Sequence, residues 1–405
     1  MKIGQISDVK RRSDVQKHGG INFDFSAERA AEDPRGRIDV RFLLYCSVTV
    51  VFGALMNYSA SAVYAEQLYG DRTYFLIRYI VFAVISAAIG FFFIKNATIG
   101  FWRFFVRIIY GAAIAMLLLV LVIGTVGGGA QRWLKLGPLT IQPSEVAKTA
   151  VVMMLAKYLS DHREQVTSTQ KKGGSLVHGL LMPGVFIGVV CVLVALEKHI
   201  SGLMIIGMIG ITVMFLGGTR LRWLALIVGG VALAGTGLIL VSEYAQTRVN
   251  TWLHIDTVDP LGEAWQTLQG LYAIGSGGIF GVGLFESRQK YGYVSQPQND
   301  FVFTVICEEL GLLGALAVLV LFTCIVIRGV KIACRLPDRF SCLVVLGLMA
   351  KLAIQVALNI AVVTNSMPNT GISLPFFSSG GTFLALQIFE MSIVLNLSRY
   401  SHIRK

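Results

Sequence analysis

The sequence predicts an all-α integral membrane protein of about ten transmembrane helices, with one long extracytoplasmic loop between the seventh and the eighth. Of its 405 residues 55% are hydrophobic and 14% charged, and the apolar residues come in blocks of about 20, the length that crosses a hydrocarbon core of about 30 Å. The blocks predict spans at 40–62, 74–94, 104–124, 142–160, 177–196, 200–217, 222–242, 301–328, 341–364 and 377–398. An even number of spans puts both termini on one side. Residues 1–39 are polar and basic, expected to be disordered and open to partners, and 401–405 form a short tail. No short apolar region precedes a small-residue cleavage site, so a removable signal peptide is not expected.

Charge orients the bundle. With the N-terminus in the cytoplasm, 25 of the 35 Lys and Arg fall on the cytoplasmic side, and short basic loops favour that side. The net charge of +12 then reads as topology and affinity for anionic lipid, with no call for a nucleic acid partner. The six cysteines have no metal-binding spacing and read as packing residues.

Two connections then face outward, about 243–300 and 127–143. The longer one carries the glycine run Ala273 to Gly283, including Gly275, Ser276, Gly277 and Gly278. Glycines at this density permit close backbone approach and can aim successive amides at an anion; a flexible re-entrant turn is the plainer alternative. The shorter connection holds Arg132 and Trp133, a guanidinium that can grip phosphate and an indole with an apolar face, although interfacial anchoring would also satisfy both. After it, Gln142-Pro143-Ser144-Glu145 reads as a helix start, with Gln142 or Ser144 near the cap. Lys148 lies one turn on, either facing substrate or paired with Glu145.

Asp300 ends the long connection directly before an apolar span. A carboxylate is costly there, so it is either a helix cap or a functional group. Glu308 and Glu309 follow about two turns deeper on the same helix, and Lys351 and Glu390 fall mid-span, where an ion pair would lower the cost of burying both. A proton path is the sharper reading of that pair. Asp256, Asp259, Glu263 and Glu286 are rival carboxylates in the loop and read as loop-shaping residues.

Taken together, Gln131-Arg132-Trp133, Ile141-Gln142-Pro143-Ser144-Glu145 with Lys148, the 273–283 glycine run, Asn299-Asp300-Phe301-Val302-Phe303 with Glu308-Glu309-Leu310-Gly311, and Pro368-Asn369-Thr370-Gly371-Ile372-Ser373-Leu374-Pro375-Phe376 resemble the SEDS family (shape, elongation, division and sporulation) over about residues 40–400. The resemblance implies a peptidoglycan glycosyltransferase in the bacterial cytoplasmic membrane that polymerises lipid II at the outer face. It also implies a class B penicillin-binding protein as partner, among other divisome or elongasome membrane proteins. It implies Asp300 as catalytic base and places Arg132 and Lys148 at the outer cavity. The basic N-terminal segment and Tyr58-Ser59-Ala60-Ser61-Ala62 lean to the division branch, although Gly129-Ala130-Gln131-Arg132-Trp133 also suits the elongation branch. Two departures stand out: Glu197-Lys198-His199-Ile200-Ser201-Gly202 where the family has Pro-Asp-Leu-Gly, and Ser378-Ser379-Gly380-Gly381 where it has Ser-Tyr-Gly-Gly.

The chemistry implied is economical. A pyrophosphate departs as a stabilised anion, so one carboxylate can serve as base for the incoming hydroxyl, without the second carboxylic acid of most glycosidases. Cations, or a divalent ion such as Mg²⁺ or Mn²⁺, would stabilise the leaving group. A lipid-linked precursor flippase and a non-catalytic scaffold are the competing classes, the first because it too needs charges at depth.

Overall fold

The computed structural model describes residues 36–401 apart from 128, 129, 138, 168–173, 242, 256, 258, 260, 261, 263 and 295. Expectations for residues 1–35 and 402–405 and for Asp256 and Glu263 lie outside the described residues. Helices stand at all ten predicted spans: α1 Val40–Tyr69, α2 Tyr74–Asn96, α3 Ile99–Ile123, α4 Pro143–Asp161, α5 Val177–Leu196, α6 Ile200–Leu216, α7 Leu221–Val241, α10 Val302–Ala333, α11 Arg339–Val363 and α12 Gly381–Ser398. The connection between α7 and α10 is more ordered than a loop, since it contains α8 (Glu243–Leu253) and α9 (Trp265–Gly277). The stretch between α3 and α4 folds into a small antiparallel sheet of β1 (Thr125–Gly127), β2 (Ala130–Leu136) and β3 (Leu139–Ile141). The sheet is the one departure from an all-helical chain among the described residues.

Burial sorts the helices into layers. In the apolar windows of α11 and α12, 78% and 72% of residues are buried, against 17% in α2, so the first two form the centre and α2 lies at the lipid-facing rim. Apolar side chains such as Phe91, Val122 and Leu233 point outward, as expected where the solvent is hydrocarbon. The least apolar predicted span, α4, is buried on most of its surface and carries Glu145, Lys148 and Thr149 inward. A polar span is tolerated there because protein, not lipid, surrounds it. Lys351 and Glu390 form a salt bridge joined by Thr149, tying α11, α12 and α4 together at mid-depth, in line with the structural reading of the pair.

The glycine run is a re-entrant packing device. α9 runs beside the start of α10, with Gly270 against Phe301 and Gly277 against the Cys307 carbonyl. α10 then breaks at Gly311, whose φ of 64° belongs to the left-handed region. The break is repaired by the re-entrant chain: Leu312 N–H donates to the Gly278 carbonyl at 2.9 Å and Leu313 N–H to that of Ile279 at 3.2 Å. In return Val282 N–H donates to the Glu308 carbonyl at 2.9 Å and Gly283 N–H to that of Glu309 at 3.1 Å. Within a membrane such an exchange is what allows irregular backbone. The Val282 and Gly283 amides are therefore spent on α10, and the anion nest expected from the glycines is not formed. Gly275, Ser276, Gly277 and Gly278 belong to the end of α9, level with residue 307, about 10 Å along α10 from Asp300 at 1.5 Å per residue.

Glu308 and Glu309 secure the same device. Glu308 accepts from Ser287 Oγ at 2.5 Å and from the Arg288 amide at 2.9 Å, while Glu309 pairs with Lys290 at 2.9 Å and accepts from Ser59 Oγ at 2.6 Å. Two predictions follow from the geometry. A Cβ at position 281 would stand 2.1 Å from the Glu309 carbonyl oxygen, so Gly281→Ala should cost about 1–3 kcal/mol or more and lower the melting temperature of the detergent-purified protein. Lys351→Met, which leaves Glu390 buried without its cation, should lower that temperature more than Lys351→Met combined with Glu390→Leu.

Candidate functional site

Asp300 does not cap α10. The cap position is Phe301, without a side-chain cap bond, so the carboxylate is available to the site. Its backbone is held from several directions. Asn359, a polar residue buried in α11, donates to the carbonyls of both Asp300 (2.8 Å) and Ile372 (2.6 Å), fastening the start of α10 to the strap 368–374. Ser379 donates to the Gln298 carbonyl through its amide at 2.9 Å, and its hydroxyl lies 2.8 Å from Asn299 Oδ1. The serine that departs from the family's tyrosine thus fixes the approach to Asp300. Phe301, fully buried against Gly270, anchors the other flank.

The strap gathers the site. Gly371 has a φ of 66° and a Cβ there would lie 3.2 Å from Asp300 Oδ2, so glycine both makes the turn and leaves room for the carboxylate. One residue earlier, the Thr370 carbonyl accepts from Ser201 Oγ at 2.8 Å; one before that, the Asn369 carbonyl accepts from Arg248. Three consecutive residues of the strap thus touch Asp300, the start of α6 and α8. Burial raises the Asp300 carboxyl to about 6, with Arg248 pulling the other way. Arg248 is the cation that the sequence reading missed, counted there only towards topology; its signal was its position one helical turn before Trp252 on a polar helix.

Beside Ser201 lies a second group of residues. Arg132, on β2, donates to the Lys198 carbonyl at 3.2 Å and stands near Glu197 and His199. Ser144 Oγ and His199 Nδ1 lie 3.1 Å apart, and Lys148 pairs with Glu145 at 2.6 Å. Pro143 occupies the first turn of α4 with Gln142 at the cap, as expected, but the Ser144 hydroxyl is used on His199. Lys148 is fully buried with its ammonium on Glu145, the pairing that the spacing left open beside a substrate-facing role. Burial lifts the Glu197 carboxyl to about 8 against the pull of Arg132, and holds His199 down at about 3, helped by Arg132 and Lys148. With Glu197 and His199 both neutral near pH 7, the group keeps a net positive charge from Arg132. Trp133 is half-buried on β2, its carbonyl taking the Thr125 hydroxyl at 3.2 Å. The departure at 197–202 has therefore become a buried part of the site.

Among the described residues no three His, Cys, Asp or Glu side chains are grouped to hold a metal ion. The described residues therefore group no donor set for a protein-held Mg²⁺ or Mn²⁺ ion.

Residues 40–403 match the family model FTSW_RODA_SPOVE, described as "Cell cycle protein". Stage V sporulation protein E of Bacillus subtilis (strain 168) is 36% identical over 90% of this chain and 97% of its own length. A probable peptidoglycan glycosyltransferase FtsW of Trichlorobacter lovleyi is 33% identical over 89% and 93%. Among solved structures, a chain from work described as "Structural coordination of polymerization and crosslinking by a peptidoglycan synthase complex" superposes with a TM-score of 0.73 at 26% identity, covering 90% of this chain and 98% of that one. The rod shape determining protein RodA of Thermus thermophilus gives 0.66 at 25% identity, with 89% and 97% covered.

Because the Asp300 carboxyl is raised from 3.8 to about 6, ionising it costs stability: its contribution is complete below about pH 4 and lost as pH rises through about 6. Asp300→Asn should therefore gain in thermal stability relative to the parent chain over that interval, with a slope of at most about 1.4 kcal/mol per pH unit. A difference flat across pH 4–7 in thermal melts would contradict the burial of this group.

Proposed function

The chain belongs to the FtsW/RodA/SpoVE family of cell cycle proteins, and on that premise we propose that it is a peptidoglycan glycosyltransferase that polymerises lipid II at the outer face of the cytoplasmic membrane. The observation that carries the reading is Asp300: a carboxylate held by its backbone, raised to about 6, and placed where the strap meets the Arg132 group. A base whose pKa lies just below neutrality is ionised at working pH and still accepts a proton well.

In this mechanism Asp300 removes the proton from the acceptor sugar's hydroxyl as the hydroxyl oxygen attacks the anomeric carbon of the donor. The bond from that carbon to the lipid pyrophosphate breaks, and the pyrophosphate leaves carrying the electron pair. Arg132, half-buried at the rim, supplies the positive contact for the departing phosphates, with the Lys148–Glu145 ion pair beneath it. One displacement inverts the anomeric centre, turning an α-linked donor into a β-linked glycan.

The orientation with both termini cytoplasmic, a class B penicillin-binding protein as partner, and septal synthesis in cell division belong to the same proposal. The basic loops support the first, the synthase-complex neighbour the second, and the FtsW and sporulation names of the relatives the third, over the elongation-type alternative. A flippase needs mobile charges at depth, whereas Glu308, Glu309, Lys351 and Glu390 are all engaged in internal contacts.

Reconstituting the purified chain with lipid II and a class B partner tests the reading directly. Glycan strands are expected, and lipid movement without polymer would sink it. Asp300→Asn should fold, bind the partner and lose at least about 100-fold in polymerisation rate, while the parent rate should climb as pH rises through about 6. Arg132→Ala should impair use of lipid II more than it impairs melting temperature; equal losses would return Arg132 to an anchoring role.

A further inference from the structure

A cleft of about 170 Å³ is lined by Arg248, Thr251, Trp252, Gln266, Asn365 and Asn369 among others. α8 provides Arg248, Thr251 and Trp252, the start of α9 provides Gln266, and the end of α11 with its strap provides the two asparagines. The cleft adjoins the reaction centre through the strap: Arg248 donates to the Asn369 carbonyl, two residues before Gly371, where a Cβ would lie 3.2 Å from Asp300 Oδ2. Trp252 Nε1–H donates to the Asn365 carbonyl at 2.9 Å, which fixes the edge of the indole to the strap and sets the direction of its face.

We propose that this cleft is the acceptor-saccharide subsite, seating the sugar ring whose hydroxyl is delivered to Asp300. The inference rests on the polymerase reading and deepens it. Its chemistry is that of a carbohydrate site. Gln266, Asn365 and Asn369 bring carboxamides of the kind that meet ring hydroxyls and an acetamido group, Asn369 Oδ1 also accepting from the Gly371 amide, while Thr251 adds a hydroxyl and Trp252 an apolar face. A pyrophosphate fits poorly, because the one cation on the wall already has a carbonyl and a carboxylate as neighbours. A free metal cation fits no better, since no carboxylate is among the described residues that line the cleft. The volume is well below the roughly 300–1,000 Å³ that encloses a drug-sized molecule, so it takes a sugar ring and excludes the lipid tail.

The two groups joined by the strap then divide the work. The Arg132 group, reached through Ser201 and Thr370, has the charge for the donor's pyrophosphate; the Arg248 cleft, reached through Asn369, has the amides for the acceptor's sugar. Asp300 stands at Gly371, at the join.

The test uses full-length protein in detergent with a lipid-free N-acetylglucosamine–N-acetylmuramic acid tetrasaccharide as probe, its binding followed by calorimetry on the Asp300→Asn background. Trp252→Ala and Gln266→Ala should each weaken tetrasaccharide binding about tenfold or more, leave binding of inorganic pyrophosphate unchanged, and raise the KM for the tetrasaccharide as acceptor in the Asp300-containing protein. Thr251→Val, which keeps shape and removes only a hydroxyl, repeats the measurement where Trp252→Ala lowers the melting temperature. Unchanged tetrasaccharide binding in all three variants, or loss of pyrophosphate binding in its place, overturns the subsite. Failure of the polymerase reading is seen separately, as absence of glycan from lipid II with the parent chain.

Discussion

The backbone exchange between Gly278–Gly283 and the break in α10 at Gly311 is the constraint on which the site depends. A helix interrupted within the membrane releases carbonyls and amides that lipid cannot satisfy, and here the re-entrant chain takes up four of those bonds. Close approach is possible only because Gly281 and Gly311 lack Cβ atoms; one at 311 would fall 2.4 Å from the Gly281 nitrogen. Glu308 and Glu309 then collect Ser287, the Arg288 amide, Lys290 and Ser59 around the same point. The connection emerging from this knot, Tyr291 to Asn299, leads directly to Asp300. The catalytic candidate therefore hangs from a rigid internal fixture rather than from a free loop.

A second fixture meets it from the other side. Asn359 is an amide near the end of a buried helix, and its Nδ2 bonds to two carbonyls of different segments. It makes the distance between the start of α10 and the strap a matter of one side chain. Ser379 performs a similar service for residues 298 and 299. Asp300 can then be partly desolvated without being mispositioned, which is the combination a base needs.

The electrostatics of the site follow from unequal burial. Glu197 and His199 lie in a buried group where neither ion is favoured, so both are neutral and the half-buried Arg132 keeps its charge among them. Glu145 and Lys148 neutralise each other one layer deeper. The Asp300 backbone amide and Arg248 moderate, without reversing, the rise of the Asp300 pKa on burial. The arrangement concentrates positive character at one end of the strap and hydrogen-bonding amides at the other.

Much of this architecture was legible in the chain itself. Ten apolar blocks of spanning length, the odd polarity of the 142–160 span and a carboxylate opening the eighth span are one-dimensional facts, because hydrocarbon thickness and the cost of buried charge act on any sequence alike. The pairing of Lys351 with Glu390 was legible for the same reason. What the chain could not disclose is which partners each polar group meets across long separations. The glycine run looked equally suited to an anion and to a helix break, and only the approach of residues 308–313 decided for the break. Lys148 looked like a ligand for phosphate until burial gave it to Glu145. Arg248, Asn359 and Gly371 lie 52, 59 and 71 residues from Asp300 in the chain, and nothing local marks them as its neighbours. Tertiary contact alone placed them there, since a carboxylate's environment is set by what packs against it and not by what precedes it in the chain.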